Sequence, residues 1–148
     1  MSRAFVKEDI DVPEPSNRRR SASGLPPGAL NFMTEAGALR LRQRLMELKR
    51  TSADELEIVE LESILESATI VNPPKQPEEI VFGVSITLRS ASGELKSYRI
   101  VGVDEVHLEP TNVSWVSAIG KALLGAKLDQ RVSLEPKMKP MWTVIKID

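Results

Sequence analysis

The chain has 148 residues, of which 28% are charged and 41% hydrophobic, and its formal net charge is −1. This length predicts one domain, or one small domain with an extension, and the balanced charge gives no electrostatic argument for nucleic-acid binding by the whole molecule. The lack of cysteine excludes disulfides, thiolate metal sites and a cysteine nucleophile, and a single histidine excludes a multi-histidine metal cluster. The sequence has no apolar run of membrane-spanning length and no signal-peptide core, so we expect a soluble cytoplasmic protein. We also expect no cofactor.

Residues 1–30 contain several prolines, glycines and serines and little apolar periodicity, so we expect a flexible tail. Phe5 and Val6 are its candidate anchors. The run Arg18-Arg19-Arg20 could contact an acidic partner or an RNA phosphate, but a basic run in a tail is more often simply solvated.

Residues 31–71 predict a short antiparallel coiled-coil hairpin. Thr34 and Asp54 are candidate N-caps of its two arms, Glu35–Arg50 and Asp54–Val71. The first arm is mainly basic, whereas the second has six carboxylates and no basic residue, so that opposite charges meet across the seam. Each arm has an apolar stripe at the three-four-three spacing of a coiled coil: Ala38, Leu41, Leu45 and Leu48, then Ile58, Leu61, Leu65 and Ala68.

Residues 72–79 predict a linker, because three prolines between Asn72 and Pro77 end both helix and strand. Residues 80–148 predict a second domain, in which apolar alternation on both sides of the Ser92-Gly93 turn indicates a β-hairpin. We expect strands near 80–89, 95–102, 112–116, 130–135 and 142–147, and a short helix near 118–124. The predicted fold class is therefore α+β, with a helical hairpin followed by an antiparallel sheet against one helix.

Three motifs in this second part, in this order, resemble the C-terminal domain of the Gre transcript-cleavage factors: Val81-Phe82-Gly83, then Tyr98-Arg99-Ile100-Val101-Gly102 with Asp104-Glu105, then Ser117 to Gly125. The resemblance covers residues 78–148 and, more loosely, residues 33–71. It implies an FKBP-like fold for the sheet domain and bacterial RNA polymerase as the partner, bound at its secondary channel, with at most indirect contact with nascent RNA.

The resemblance also implies a role for acidic residues at the hairpin tip, which in Gre factors help to hold a catalytic magnesium ion of the polymerase. Here only Asp54 and Glu55 lie near the turn, and the family's Asp-x-x-Glu-Asn-x-x-Tyr-like tip is replaced by Thr51-Ser52-Ala53-Asp54-Glu55. Each predicted arm has about 17 residues and spans roughly 25 Å, which is shorter than the arms of the family. The sequence therefore favours a non-catalytic regulator that is not itself an enzyme.

Two alternatives stay open. One is an elongation factor that stimulates the polymerase's own transcript cleavage through Asp54 and Glu55. The other is an interaction module resembling the regulator of nucleoside diphosphate kinase. Prolyl isomerase activity is disfavoured, because the sheet domain has few aromatic residues to line such a pocket: Phe82, Tyr98, Trp115 and Trp142.

The candidate partner-binding residues lie around the short helix. In the Gre pattern a polar or acidic residue followed by Ser-Pro opens this helix at the polymerase-docking surface, and Val116-Ser117-Ala118 stands there in this chain. Trp115, Val116, Ser117 and Ile119 are therefore the candidate partner surface, with Ser117 as an N-cap. The alternative that Trp115 or Val116 faces the core, with strand alternation exposing only one of them, stays open. Asp104 and Glu105 are read as turn caps first and partner contacts second. His107 is read as a surface-loop residue and not as a metal ligand, because no second nitrogen or sulfur ligand exists.

Overall fold

The computed structural model of the protein describes residues 25–26, 28–51, 54–135 and 141–148, and the predictions for Phe5, Val6 and Arg18–Arg20 lie outside these ranges. The predicted α+β class is confirmed, and no helix in these ranges is long and apolar enough to cross a membrane. The elements in chain order are β1 (Asn31–Met33), α1 (Glu35–Thr51), α2 (Glu55–Ser67), β2 (Ala68–Ile70), β3 (Ser85–Ser90), β4 (Leu95–Val101), a 3₁₀ turn (Val106–Leu108), β5 (Asn112–Ser114), α3 (Ala118–Leu123), β6 (Arg131–Val132) and β7 (Trp142–Ile147).

Helices α1 and α2 pack against each other along the two predicted apolar stripes. Thr34 caps α1, since its Oγ1 accepts a hydrogen bond of 3.0 Å from the Gly37 N–H, and the Asp54 carboxylate caps α2 by accepting one of 3.1 Å from the Glu57 N–H. Both predicted caps are therefore confirmed. The buried residues of the seam are Met33, Ala38, Leu41, Leu48 and Leu61, with Leu45, Ile58, Ile64, Leu65, Ala68 and Leu108 packed against them.

Ion pairs link the two arms across the seam. Arg44 lies 2.9 Å from Glu57, and Lys49 lies 3.1 Å from Glu62. The hydrogen bond that Arg44 donates to Glu57 raises the pKa of the guanidinium above its ordinary value, so Arg44 stays protonated. Because these side chains are exposed to water, each pair adds little to the stability of the hairpin.

The prediction that the second arm runs to Val71 is wrong. Helix α2 ends at Ser67, and the next three residues form β2, which pairs parallel with β1 so that Asn31 is opposite Ala68 and Met33 opposite Ile70. Thr69, Ile70 and Val71 are β-branched and favour extended backbone, and β1 offers them a strand to pair with. The base of the hairpin is therefore closed by two strands.

The five-stranded sheet has the order β5-β4-β3-β7-β6. The pairs β3–β4, β3–β7 and β6–β7 are antiparallel, as expected, but β5 runs parallel to β4. Every predicted strand and the predicted short helix exist. The last strand has the expected bounds, and the other elements are shorter than expected. Helix α3 covers one face of the sheet, and the residues buried between them are Ile80, Val84, Ile86, Leu88, Ile100, Leu123, Ala126, Val132 and Val144.

The first strand of the sheet begins later than predicted, at Ser85 and not at Ile80. A turn at Phe82-Gly83 interrupts the extended chain, and Gly83 has a φ of +93°. A Cβ atom at Gly83 would lie 2.9 Å from Cδ of Pro73, so this turn needs glycine for both its conformation and its packing.

Glu105 joins the hairpin to the sheet and is only 1% exposed. Its Oε2 accepts hydrogen bonds from the backbone N–H of Gly102 (2.7 Å) and of Thr34 (3.0 Å), and the Thr34 hydroxyl donates to Oε1. Three donors thus satisfy a carboxylate that would otherwise be costly to bury. Because Thr34 is the single residue between β1 and α1, this contact holds the start of the hairpin against the turn that follows β4.

Two glycines make room for this contact. A Cβ atom at Gly37 would overlap the Glu105 carboxylate, and one at Gly102 would overlap the carbonyl oxygen of Phe32. The Phe32 ring lies between Phe82 and Trp115, with centroid distances of 5.8 Å and 5.0 Å. The hairpin base is therefore fixed by a buried polar contact beside an aromatic one.

We expect Glu105→Ala to lower the free energy of unfolding by about 2–4 kcal/mol, because it leaves two buried backbone N–H groups without acceptors. Urea unfolding followed by circular dichroism measures this loss. Glu94→Ala, in the exposed β3–β4 turn, removes the same charge and is the control, with an expected change below about 0.5 kcal/mol. Equal stability of the two variants would contradict the role assigned to Glu105.

We expect Gly37→Ala to destabilise the protein, although alanine normally favours a helix by about 1 kcal/mol over glycine. The cause is the overlap of its methyl group with Glu105, so the same substitution made in Glu105→Ala should be neutral or stabilising. A double-mutant cycle of the four proteins should therefore give a coupling of about 1–3 kcal/mol in urea unfolding. Additive effects would show that Gly37 is required for another reason.

Candidate partner-binding surface

An open groove of about 580 Å³ lies between the 3₁₀ turn, β5 and the start of α3. Its walls are mostly apolar, and Val106 on its rim is 38% exposed. We call it the α3 groove. Its lining residues are Val103, Val106, Asn112, Val113, Ser114, Ser117, Ala118 and Ile119.

Ser117 positions α3 at the edge of the groove. Its Oγ accepts a hydrogen bond of 3.0 Å from the Gly120 N–H and donates one of 2.6 Å to the Ser114 carbonyl, so it caps the helix and ties it to β5. A Cβ atom at Gly120 would overlap the same carbonyl oxygen, and α3 can lie this close to β5 only with glycine there. The groove is thus built on a backbone with little freedom to move.

The four residues expected around this helix separate into two groups. All four are half-buried, but only Ser117 and Ile119 line the groove, and Trp115 and Val116 do not. The Trp115 ring packs on Phe32 and the sheet core, and its Nε1 is buried without a hydrogen-bond partner among the described residues. The indole therefore supports the junction with β1 from inside, in line with the core-facing alternative for Trp115.

Asp104 and Glu105 do not belong to this surface. Glu105 points inward and is buried, so its carboxylate is out of reach of a partner, which corrects its expected role as a partner contact. Asp104 is half-buried and accepts a hydrogen bond of 3.2 Å from the Asn31 side chain. Both residues connect the 102–105 turn to neighbouring backbone or to β1.

Asp54 and Glu55 lie at the end of the hairpin, and both are exposed. The Asp54 carboxylate is engaged as the cap of α2. In the described ranges, no group of three or more histidine, aspartate or glutamate side chains is placed to hold a metal ion.

A second and larger cavity of about 760 Å³ runs between the hairpin and residues 103–108, and His107 lies on it. Its lining includes two arginines, Arg40 and Arg44, together with His107 and four carboxylates, Asp54, Glu57, Glu60 and Asp104. Arg40 is paired with Glu109 at 2.8 Å and Arg44 with Glu57. The lining therefore has more carboxylates than arginines, and because both of its arginines are paired it offers no free guanidinium among the described residues to an anionic ligand.

Sequence reasoning missed Val106 and Ala118 as groove residues. Val106 follows Asp104-Glu105, and Ala118 stands between the Ser117 cap and Ile119. Single apolar or small residues are common on protein surfaces, so neither position signals a groove by itself.

Comparisons with known proteins agree on one family. Residues 74–148 match the family model described as transcription elongation factor, GreA/GreB, C-terminal. Transcription elongation factor GreA of Pelobacter propionicus is 34% identical over 132 residues, which are 88% of this chain and 78% of the relative. Transcription elongation factor GreB of Pseudomonas aeruginosa is 36% identical over 86 residues, which are 57% of this chain and 51% of the relative.

Among solved structures, GreA factor homolog 1 of Thermus thermophilus is 29% identical, with a TM-score of 0.43 over 81% of this chain and 99% of its own. The family model matches half of the chain, and the GreA relative aligns over most of both sequences. The chain therefore belongs to the GreA/GreB family of transcription elongation factors.

Proposed function

We propose that this protein binds bacterial RNA polymerase through the α3 groove, at the entrance of the secondary channel, and regulates transcription by occupying it. The proposal rests on the groove, an open apolar surface within the residues that match the GreA/GreB model. The relatives are named transcription elongation factors, and the resemblance in the sequence implies the polymerase as their common partner.

The groove has the properties of a docking surface. Apolar side chains from the 3₁₀ turn, β5 and α3 meet there and stay partly exposed, although one face of α3 is already buried in the core. Exposed apolar surface of this kind, rimmed by polar residues, commonly marks a protein–protein contact. Val106, Ala118 and Ile119 would take up an apolar side chain of the partner as an anchor.

In this proposal the parts of the chain have separate roles. Residues 80–148 form the docking body, residues 72–79 the linker, and residues 31–71 a stalk that points into the channel. Helices of 17 and 13 residues span roughly 25 Å and 20 Å, which limits how far the stalk reaches. The protein then acts in the cytoplasm by binding, and the polymerase is the only enzyme in the complex.

We expect Ala118→Arg and Val106→Arg each to weaken binding to core polymerase at least tenfold, because a bulky charge would occupy the groove. Both side chains are exposed, so the fold should be unchanged by circular dichroism. Ser97→Arg, exposed on β4, adds the same charge elsewhere and should bind as the unchanged protein does. A pull-down with core polymerase, followed by titration at low salt, gives the affinities.

Unchanged affinity of both groove variants would contradict docking through the groove. Lack of polymerase binding by the unaltered protein would contradict the proposed function itself. Binding to nucleoside diphosphate kinase without binding to polymerase would instead support the kinase-regulator alternative.

The cleavage alternative is tested with variants that preserve the fold. Asp54→Asn keeps a good N-cap and Glu55→Gln keeps the shape of the side chain, while both remove the charge that a metal ion needs. We expect arrested complexes to keep their transcript length with the unaltered protein and with the double variant alike, as measured by gel analysis of labelled RNA. Shortening of the RNA by the unaltered protein, lost in the double variant, would establish the cleavage role.

A further inference from the structure

The hairpin face turned away from the sheet has a second stripe of residues on each helix. Each stripe is displaced by one residue from the buried seam, so both turn to the same side of the antiparallel pair. Lys49 and Glu62, one from each stripe, lie 3.1 Å apart, whereas Arg44 and Glu57 line the cavity on the other side. We call this surface the outer face. It consists of Leu39, Arg42, Met46 and Lys49 on α1, and Glu55, Val59, Glu62 and Glu66 on α2.

The outer face has three apolar side chains that are largely exposed. Leu39 is 54% exposed, Met46 70% and Val59 60%. Isolated exposed apolar residues are normal on protein surfaces, but these three share one side of a two-helix layer. Such a face is suited to packing against another helical layer.

The charges on the outer face are divided between the two helices. Both charged residues of the α1 stripe are basic, and all three charged residues of the α2 stripe are acidic. A surface with one basic and one acidic strip side by side is complementary to a copy of itself that is turned around an axis parallel to the strips. Rotation about a perpendicular axis would instead place basic on basic and acidic on acidic, which is repulsive.

Because α1 and α2 are antiparallel, residues at equal distances from the turn lie at the same height. Met46 lies five residues before Thr51, the last residue of α1, and Val59 lies five residues after Asp54, the cap of α2, so the two are level. Rotation about the axis parallel to the two helices does not change the position of a residue along that axis. It therefore places Met46 against Val59 of the second copy, and Arg42 near Glu62 and Glu66 of the second copy.

We propose that two copies of this chain associate through the outer face, with α1 of each packed on α2 of the other, to form a four-helix layer. The face is about 25 Å long and about 20 Å wide, so the two copies together would bury about 1,000 Å². This area lies at the low end for specific interfaces, and the dimer is therefore weak, reversible and sensitive to salt. It does not depend on polymerase binding and leaves the α3 groove open.

Charge reversal tests the pairing, with association of the full chain measured by sedimentation velocity from micromolar to millimolar concentrations. We expect Arg42→Glu alone and Glu66→Lys alone to weaken association at least tenfold, and an equimolar mixture of the two variants to restore it. The mixture restores it because Glu at position 42 then faces Lys at position 66 across one half of the interface, while the native pair remains in the other. Arg89→Glu, on the sheet, is the matched control and should associate normally.

Cross-linking tests the geometry directly, because the chain has no cysteine of its own. A mixture of Met46→Cys and Val59→Cys proteins should form a mixed disulfide in preference to either homodimer under mild oxidation. A monomer at every concentration, or no restoration in the charge-reversed mixture, would overturn the proposal. If the protein is monomeric and Met46→Asp weakens polymerase binding, the outer face belongs to the polymerase.

Discussion

One buried carboxylate, that of Glu105, governs how the hairpin and the sheet are held together. It satisfies two backbone N–H groups and a hydroxyl, and two of these three donors belong to Thr34 at the start of α1. The following residue, Val106, lies on the rim of the α3 groove. This short turn therefore has two roles: Glu105 fixes the direction of the hairpin, and Val106 shapes the candidate docking surface.

The part of the chain that forms the candidate docking surface is separate from the hairpin that projects from it. The α3 groove is held by Ser117, Gly120 and β5, all within the sheet half of the chain, and none of these contacts involves the hairpin. The hairpin extends from the junction and presents an outer face of mixed charge away from the sheet. A regulator that acts by occupancy needs both parts, a body that docks and a projection whose position relative to that body is constant.

Much of this architecture follows from periodicity in the sequence. Apolar residues at helical spacing marked the seam of the hairpin, and the Ser92-Gly93 turn marked the β3–β4 pair, because both patterns are local. Glu105 was placed in the correct turn, but its inward orientation depends on Thr34, which is 71 residues away in the chain. The packing of the Trp115 ring on Phe32 is likewise a contact between residues far apart in the chain, which the sequence pattern around Trp115 does not contain. The parallel pairing of β1 with β2 joins two three-residue strands, which are too short to give a pattern.

The closed base of the hairpin has a consequence for how such a protein can diverge. The chain enters α1 from β1 and leaves α2 into β2, and these strands lie side by side. Matched insertions of whole heptads into both arms would lengthen the projection and preserve the seam, without disturbing the strands beneath it. The length of the stalk can therefore change in evolution independently of the surface that recognises the partner.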